Sequence, residues 1–352
     1  MHERKNPSMN LNGSNVLVTG GAGHIGSHLV EHLVRQGATV RVVDNLERGR
    51  LENIQHILDK IEFIRADLRI QKNSEEAVEG IDIVFHLAAK LGGIEYMHPD
   101  AGSQSEIYDS NILMNTMMLQ AARKFDVDRY LYCSTACVYP VEKQDQPNVP
   151  ALKEEDSYPA NPESTYAWAK LMGEIQAKWY AKEYGMKTST VRMFNVYAEH
   201  EDLNPTRAHV IPALVRKAIL YPMVPFIVYG TGNQTRSFLY ADDAVRGIVS
   251  TCDRISDGDI VNIGSDQRMT IRYLGEQIIK ISGKNIQPAY DPSKPCGAMG
   301  RAANWSKADQ LLGWRPTVPL EDGLSRFYEW AKRALERETS TAEVVVKNPI
   351  AH

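Results

Sequence analysis

Tyr166 and Lys170 stand four positions apart in the segment YAWAK. On a helix, positions i and i+4 share a face. An ammonium near a phenol favours the phenolate and draws its pKa towards neutrality. A phenolate held there takes the proton of an alcohol while hydride leaves the carbon that bears the oxygen. The segment CSTACVYP precedes the pair, and Thr135 within it supplies a hydroxyl to orient that alcohol. YxxxK alone is a common spacing. It gains meaning here from the nucleotide-binding half that comes before it.

That half is marked by TGGAGHIG, where Gly20, Gly23 and Gly26 are spaced GxxGxxG between an apolar run and a helical pattern. A tight strand-to-helix turn needs residues without a Cβ, and a pyrophosphate must come close to the helix N-terminus. His24 and Ile25 lie within the turn and belong to the expected cofactor-binding set. Asp44 follows Gly26 by 18 positions, at the end of the second apolar run, with Asn45 beside it. A carboxylate there accepts hydrogen bonds from ribose hydroxyls and repels a 2′-phosphate, so the expected cofactor is NAD rather than NADP. Arg48 and Arg50 lie close by, which leaves room for the alternative. Asp67 and Leu68 end the third run, and Leu87, Ala88 and Lys90 follow the fourth. Both places are carboxyl ends of strands, where a doubly wound sheet binds its ligand.

The elements that must hold these residues alternate. Apolar runs at 15–20, 39–44, 61–67, 81–89 and 129–133 read as buried strands, and 24–36, 74–79, 103–124 and 163–185 read as helices. Such alternation predicts an α/β protein with a Rossmann-type, doubly wound parallel sheet covered on both faces. After about residue 192 the rhythm breaks, with prolines at 205, 212, 222 and 225. A helix at 241–252 and a strand at 258–263 return to the first sheet; helices near 209–220, 271–281, 304–312 and 320–337 complete the pattern. The expected division is a nucleotide-binding domain of 14–192 plus 237–263 and a smaller α/β substrate-binding lobe of 193–236 plus 264–337. Residues 1–13 read as a disordered leader and 338–352 as a loose tail.

Composition narrows the function classes. A hydrophobic share of 43% and a charged share of 24% over 352 residues are those of a soluble globular chain. A net charge of -4 makes no electrostatic case for nucleic acid or an anionic membrane. Cys133, Cys137, Cys252 and Cys296 match no zinc spacing, so no metal and no disulfide framework is expected. There is no long apolar span and no signal-peptide pattern, and the expected location is the cytoplasm.

The chain resembles the extended short-chain dehydrogenase/reductases from about residue 14 to about residue 335, through TGGAGHIG, FHLAA, STACVYP, YAWAK, FNVY, QTRSF, VNIGSD and LLGW. Within that family it is similar to the GDP-mannose 3,5-epimerases in AAKLGGI, STACVYP, QTRSFLYADDAV, VNIGSD and the arginine of MGRAAN. A second likeness, to the GDP-fucose synthases, lies in the AAKxGGI pattern, the cysteine and HVIPAL. The resemblance implies an NAD-dependent nucleotide-sugar epimerase, with a GDP-hexose as substrate. It oxidises C4 transiently, exchanges protons at C3 or C5, and reduces C4 again.

On that basis Cys137, two residues beyond Thr135, acts on a ring hydrogen made acidic by a neighbouring ketone, if its free pKa of roughly 8.5 is lowered by nearby cations or dipoles. Cysteine also fits there as a small buried hydrophobe. The lysine that the 3,5-epimerases carry after NxYG is Asn204 here, and Ala198–Glu199 replaces Gly-Pro. His209 matches the histidine of the GDP-fucose synthases and suits proton exchange near pH 7. Cys137 and His209 are therefore the expected acid/base pair. Arg236, Lys217 and Arg301 match family positions and would clamp the diphosphate. Asn195 would bind phosphate or sugar, and Gly92 and Gly93 would let the sugar approach the main chain. The resemblance also implies a homodimer through helices 103–124 and 163–185. Three other readings stay open: a reductase of the GDP-fucose synthase type, a UDP-sugar 4-epimerase or decarboxylase, and a non-catalytic NAD sensor.

Overall fold

The computed structural model describes residues 9–91 and 103–347, the last ten of these by backbone alone. The apolar runs form the strands Asn15–Thr19 (β1), Thr39–Asp44 (β2), Ile61–Arg65 (β3), Ile83–His86 (β4), Arg129–Thr135 (β5), Lys187–Met193 (β6) and Asp257–Ile263 (β7). They pair in parallel in the order β7-β6-β5-β4-β1-β2-β3. The order reverses between β1 and β4, and the carboxyl ends of these two strands open a crevice there.

Helices cover both faces because alternate strand residues point to opposite sides. Val16 and Val18 pack with Leu29 and Leu33 of His24–Arg35 (α1). Leu17 and Val84 pack on the other side with Ala77 of Gln71–Val78 (α2), Met118 of Gln104–Lys124 (α3) and Ala177 of Thr165–Tyr184 (α4). A second core lies beyond the sheet. It gathers Leu214 of Val210–Leu220 (α5), Ala241 of Ala241–Arg254 (α6), Leu274 of Ile271–Ser282 (α7) and, past the short helix Ser306–Leu312 (α8), Phe327 of Leu320–Lys347 (α9). Pairs and triplets of very short strands, such as Thr235–Arg236 with Gly300–Arg301, hold this lobe's loops. No helix of the described residues is long and apolar enough to cross a membrane.

Two terminal expectations meet more structure than the sequence suggests. The Met9 amide donates to the Asp253 carboxylate and Leu11 packs on the main core, although both fall in the expected leader. Helix α9 runs through Glu338 to Lys347, past the expected start of the tail.

The helix that carries Tyr166 and Lys170 is pinned to the sheet by charge. Arg192 on β6 donates from Nε to Glu174 Oε1 at 2.9 Å and from Nη2 to Oε2 at 2.7 Å. Both side chains are fully buried, and Ser134 on β5 donates to the same carboxylate. Removing one partner of a buried pair leaves the other charge uncompensated. Glu174→Ala should therefore lower the unfolding free energy by about 3–5 kcal/mol, read as a reduced urea midpoint at unchanged slope; an unshifted midpoint contradicts this anchoring.

Candidate active site

At the reversal of strand order the glycine turn meets the end of β4. Gly20 has φ of 70°, and a Cβ there would stand 2.9 Å from the Ala88 Cα. A Cβ on Gly26 would lie 2.1 Å from the Gly20 carbonyl oxygen. The Gly23 amide donates to that carbonyl at 3.1 Å, and Gly23 heads α1 with no side-chain cap. The leading amides of α1 thus remain as donors for an anion. The Thr19 hydroxyl accepts the amides of Leu87 and Ala88 at 3.1 Å each and lies 2.8 Å from His86 Nδ1, which fixes the two strand ends side by side.

The other expected cofactor residues have definite partners. The Asp44 carboxylate accepts the amides of Ala22 at 3.1 Å and Leu46 at 2.9 Å. Burial pushes its pKa up, and these two bonds oppose the shift. Asn45 Oδ1 accepts the Glu47 amide at 2.9 Å and so shapes the loop after β2. Asp67 accepts three bonds from the guanidinium of Arg69, which hold its carboxyl below the usual range. The Asn111 amide clamps the Lys90 main chain from both sides, at 3.0 and 2.9 Å, while Lys90 Nζ reaches Glu106 at 2.7 Å. His24 is sunk in the cleft wall with Nε2 unpartnered among the described residues. Burial, then His28, His209 and His200, hold its pKa well below the ordinary value. A turn that any Cβ would fill, unclaimed helix amides and a strand-end carboxylate fit a dinucleotide.

These groups and the expected catalytic ones line a single cleft of about 1000 Å³. The Thr135 hydroxyl accepts the Cys137 amide at 3.3 Å, which turns the chain after β5 and sets Cys137 beside Tyr166. One expectation is corrected here. Lys170 Nζ donates to the Cys133 carbonyl at 2.8 Å and lies 5.9 Å from the Tyr166 ring centre. Burial pushes the Tyr166 phenol well above its ordinary value, with the Cys137 and Cys133 thiols adding to the rise; Arg48 and a Thr135 hydrogen bond pull only weakly the other way. The expected depression towards neutrality is absent because the ammonium serves the main chain and desolvation outweighs it.

At the far end two short strands place Arg236 and Arg301 directly opposite each other. Like charges so placed repel, and the arrangement suits a dianionic guest. Arg301 donates to Gln144 Oε1, to Glu163 Oε1 at 3.3 Å and to Cys137 Sγ at 3.4 Å. Arg236 donates to the carbonyls of Thr235 and Cys296, and burial, then Arg301, lowers its pKa to about 10. Lys217 lines the cleft but donates to the Ile227 carbonyl at 2.6 Å. Asn195, at φ of 41°, donates to the Ser237 carbonyl at 2.8 Å. His209 Nδ1 lies 2.8 Å from Glu201 Oε1. Asn204 accepts from the Thr206 amide and hydroxyl and so holds only its own turn. Gly92 and Gly93 lie outside the described residues.

Sequence reasoning missed Glu163, Gln144 and Glu201, all but Gln144 lining the cleft. Glu163 precedes the Ser164 cap of α4, so helical spacing does not place it. The others sit in loops whose path only tertiary structure sets. Among the described residues no group of three or more His, Cys, Asp or Glu could hold a metal ion.

Residues 16–264 match the NAD dependent epimerase/dehydratase family. The chain is 33% identical to GDP-mannose 3,5-epimerase 1 of Oryza sativa subsp. japonica over 329 residues, which cover 92% of this chain and 83% of the relative. The fold superposes on UDP-glucose 4-epimerase of Thermotoga maritima, solved with UDP-glucose, with a TM-score of 0.82 at 28% identity, covering 91% of this chain and 99% of the other. It also superposes on UDP-glucose 4-epimerase of Thermus thermophilus in complex with NAD, with a TM-score of 0.78 at 26% identity, covering 91% and 99%.

Lys170 generates a test of this geometry. Burial lowers its pKa from 10.5 to about 8, against the opposing pull of Cys133 and Glu174. Between these values the unfolded chain binds the proton and the folded chain does not, so this group makes stability rise with pH from about 8 to 10.5. Its total contribution is on the order of 3 kcal/mol. Lys170→Met removes the term, so the difference in urea stability between parent and variant should shift in the parent's favour across that window. A difference that stays constant with pH contradicts the buried ammonium.

Proposed function

This chain belongs to the NAD dependent epimerase/dehydratase family, and from that membership we propose that it is a nucleotide-sugar epimerase acting on a GDP-hexose at C3 or C5. The observation that carries the reading is the contact of Arg301 with Cys137 Sγ at 3.4 Å, in the same cleft as Tyr166 and Lys170. A 4-epimerase needs only the tyrosine. A thiol that accepts a hydrogen bond from a guanidinium, beside the tyrosine, is placed to move a carbon-bound proton.

NAD, when bound, accepts hydride from C4 of the sugar and later returns it. Gly20, Gly23 and Gly26 would admit its pyrophosphate, and Asp44 its ribose hydroxyls. Burial keeps the Tyr166 phenol protonated in the empty cleft; the positive charge of bound NAD would favour its phenolate, which would take the proton from the C4 hydroxyl as hydride departs, with Thr135 orienting that hydroxyl. The 4-ketone makes the hydrogens at C3 and C5 acidic. Cys137 and His209 then exchange a proton at the ring carbon, one removing it and the other supplying a proton to the opposite face. Arg236 and Arg301 receive the diphosphate.

Nuclear magnetic resonance of a GDP-mannose incubation in deuterated water tests this. Deuterium should enter at the inverted carbons without net NADH. Cys137→Ala should lower wash-in by about 100-fold or more while C4 oxidation persists as NADH absorbance. Full wash-in in that variant removes the cysteine from the mechanism. Inversion at C4 alone, or turnover of UDP-sugars only, replaces the reading with a 4-epimerase.

The pair α3 and α4 supports a homodimer. Leu113 and Trp179 are exposed at 42% and 46%, on helices otherwise packed against the sheet. Sedimentation should give a dimer of this 39.5 kDa chain that Trp179→Glu shifts towards monomer; a monomeric parent removes the proposal.

A further inference from the structure

His209 caps helix α5 with its side chain about half exposed, and the only hydrogen bond of that side chain among the described residues is through Nδ1. The acceptor, Glu201, is nearly sealed from solvent: its side chain is 4% exposed. Oε1 lies 2.8 Å from Nδ1, and Oε2 is buried with no hydrogen-bond partner among the described residues. An orphaned carboxylate oxygen costs free energy, so the group is not explained by stability alone. It occurs in the stretch AEHED, where this sequence leaves the family's Gly-Pro pattern.

We propose that Glu201 is a positioning residue for proton exchange: its carboxylate fixes the Nδ1–H tautomer of His209 and leaves Nε2 as the atom that carries a proton to or from the sugar ring. This rests on the proposed role of His209. An ionised carboxylate can only accept, so the shared proton sits on Nδ1, and the Nε2 lone pair of this cleft-lining residue has no hydrogen-bond partner among the described residues. As base, Nε2 forms its N–H bond as the ring C–H bond breaks, and the electron pair passes into the enolate of the 4-ketone. As acid, the imidazolium runs the same step backwards and returns to the neutral Nδ1–H form. In both directions the carboxylate stands beside the imidazolium, stabilising its positive charge as it forms or before it is lost.

The charged surroundings are compatible with this role. Arg48 and Asp202 face Glu201, and His24 faces His209. Asp202 is itself shared by Arg48 at 3.7 Å, Arg50 at 3.8 Å and Arg207 at 3.0 Å. Burial, the largest effect, leaves the Glu201 carboxyl raised with Asp202 adding to it, and the His209 bond, the charge of His209 and Arg48 oppose the rise.

The test uses full-length protein with NAD bound and GDP-mannose as probe, and compares Glu201→Gln, Glu201→Asp and His209→Ala. In Glu201→Gln, the kcat for deuterium wash-in should fall about 10- to 100-fold with KM little changed and C4 oxidation at the parental rate. The 15N spectrum of His209 should then show the Nε2–H tautomer, which the parent lacks. Glu201→Asp keeps the charge and should keep the Nδ1–H signal with a smaller loss, which serves as the reading if the glutamine variant does not fold. Parental wash-in in Glu201→Gln, or a loss with no change of tautomer, overturns the positioning role. Full wash-in in His209→Ala instead overturns the role of His209, a separate outcome.

Discussion

Tyr166, Lys170 and Glu174 recur every four residues on one face of α4, and that face is held to the sheet by buried charge. Lys170 donates to the Cys133 carbonyl at the end of β5, and Glu174 takes the bidentate guanidinium of Arg192 on β6. Hydrophobic contact alone would let a helix slide or roll by fractions of an ångström. Two buried polar anchors, each costly to leave unpaired, allow a single register. Everything chemical follows from that register, because Thr135 and Cys137 leave β5 just beyond the anchored carbonyl. The residue that needs placing most accurately is thereby set by the two strands whose ends form the cleft floor.

The same economy governs charge in the cleft. The chain carries a net charge of -4, yet Arg48, Arg236 and Arg301 all line this one depression. Arg236 and Arg301 stand in register on paired strands, a repulsive placement in an empty protein and a favourable one around a diphosphate. Arg301 then does two things at once: one donor lies on the Cys137 thiol and another on Glu163. Under the proposed clamp, a diphosphate would compete with Cys137 and Glu163 for the Arg301 guanidinium.

Much of the frame was legible in the sequence, for identifiable reasons. Parallel strands buried on both faces must be unbroken apolar runs, so β1, β2 and β4 stood out, and GxxGxxG between a strand and a helix admits few explanations. Tyr166 and Lys170 were legible through helical spacing. The direction of the Tyr166 shift was not, since spacing says which groups are near and nothing of how much water burial removes. The partners of Lys217 and Asn195 were hidden because both bind main-chain carbonyls, which carry no sequence signature. Glu201 was hidden in the departure from the family pattern, where a motif comparison registers only a missing lysine.

That departure reshapes the join between the lobes. Glu199 accepts the Tyr240 hydroxyl at 2.6 Å, and its carbonyl lies 3.0 Å from His28 Nε2 on α1. His200 adopts φ of 70°, stacks on His28 with ring centres 5.1 Å apart and lies 2.9 Å from the Ser27 hydroxyl. A Gly-Pro pair in place of Ala198–Glu199 could not make the Glu199 bond to Tyr240. The helix whose N-terminus receives the dinucleotide is therefore tied to the loop that carries Glu201 and leads to His209. In the proposed reaction hydride returns to the carbon that lost it within one residence of the sugar, so the cofactor site and the loop proposed to exchange protons would gain from being parts of one connection. Polar bridges of this kind resist separation more specifically than apolar contact, since opening the join would leave several partly buried donors and acceptors unpaired at once.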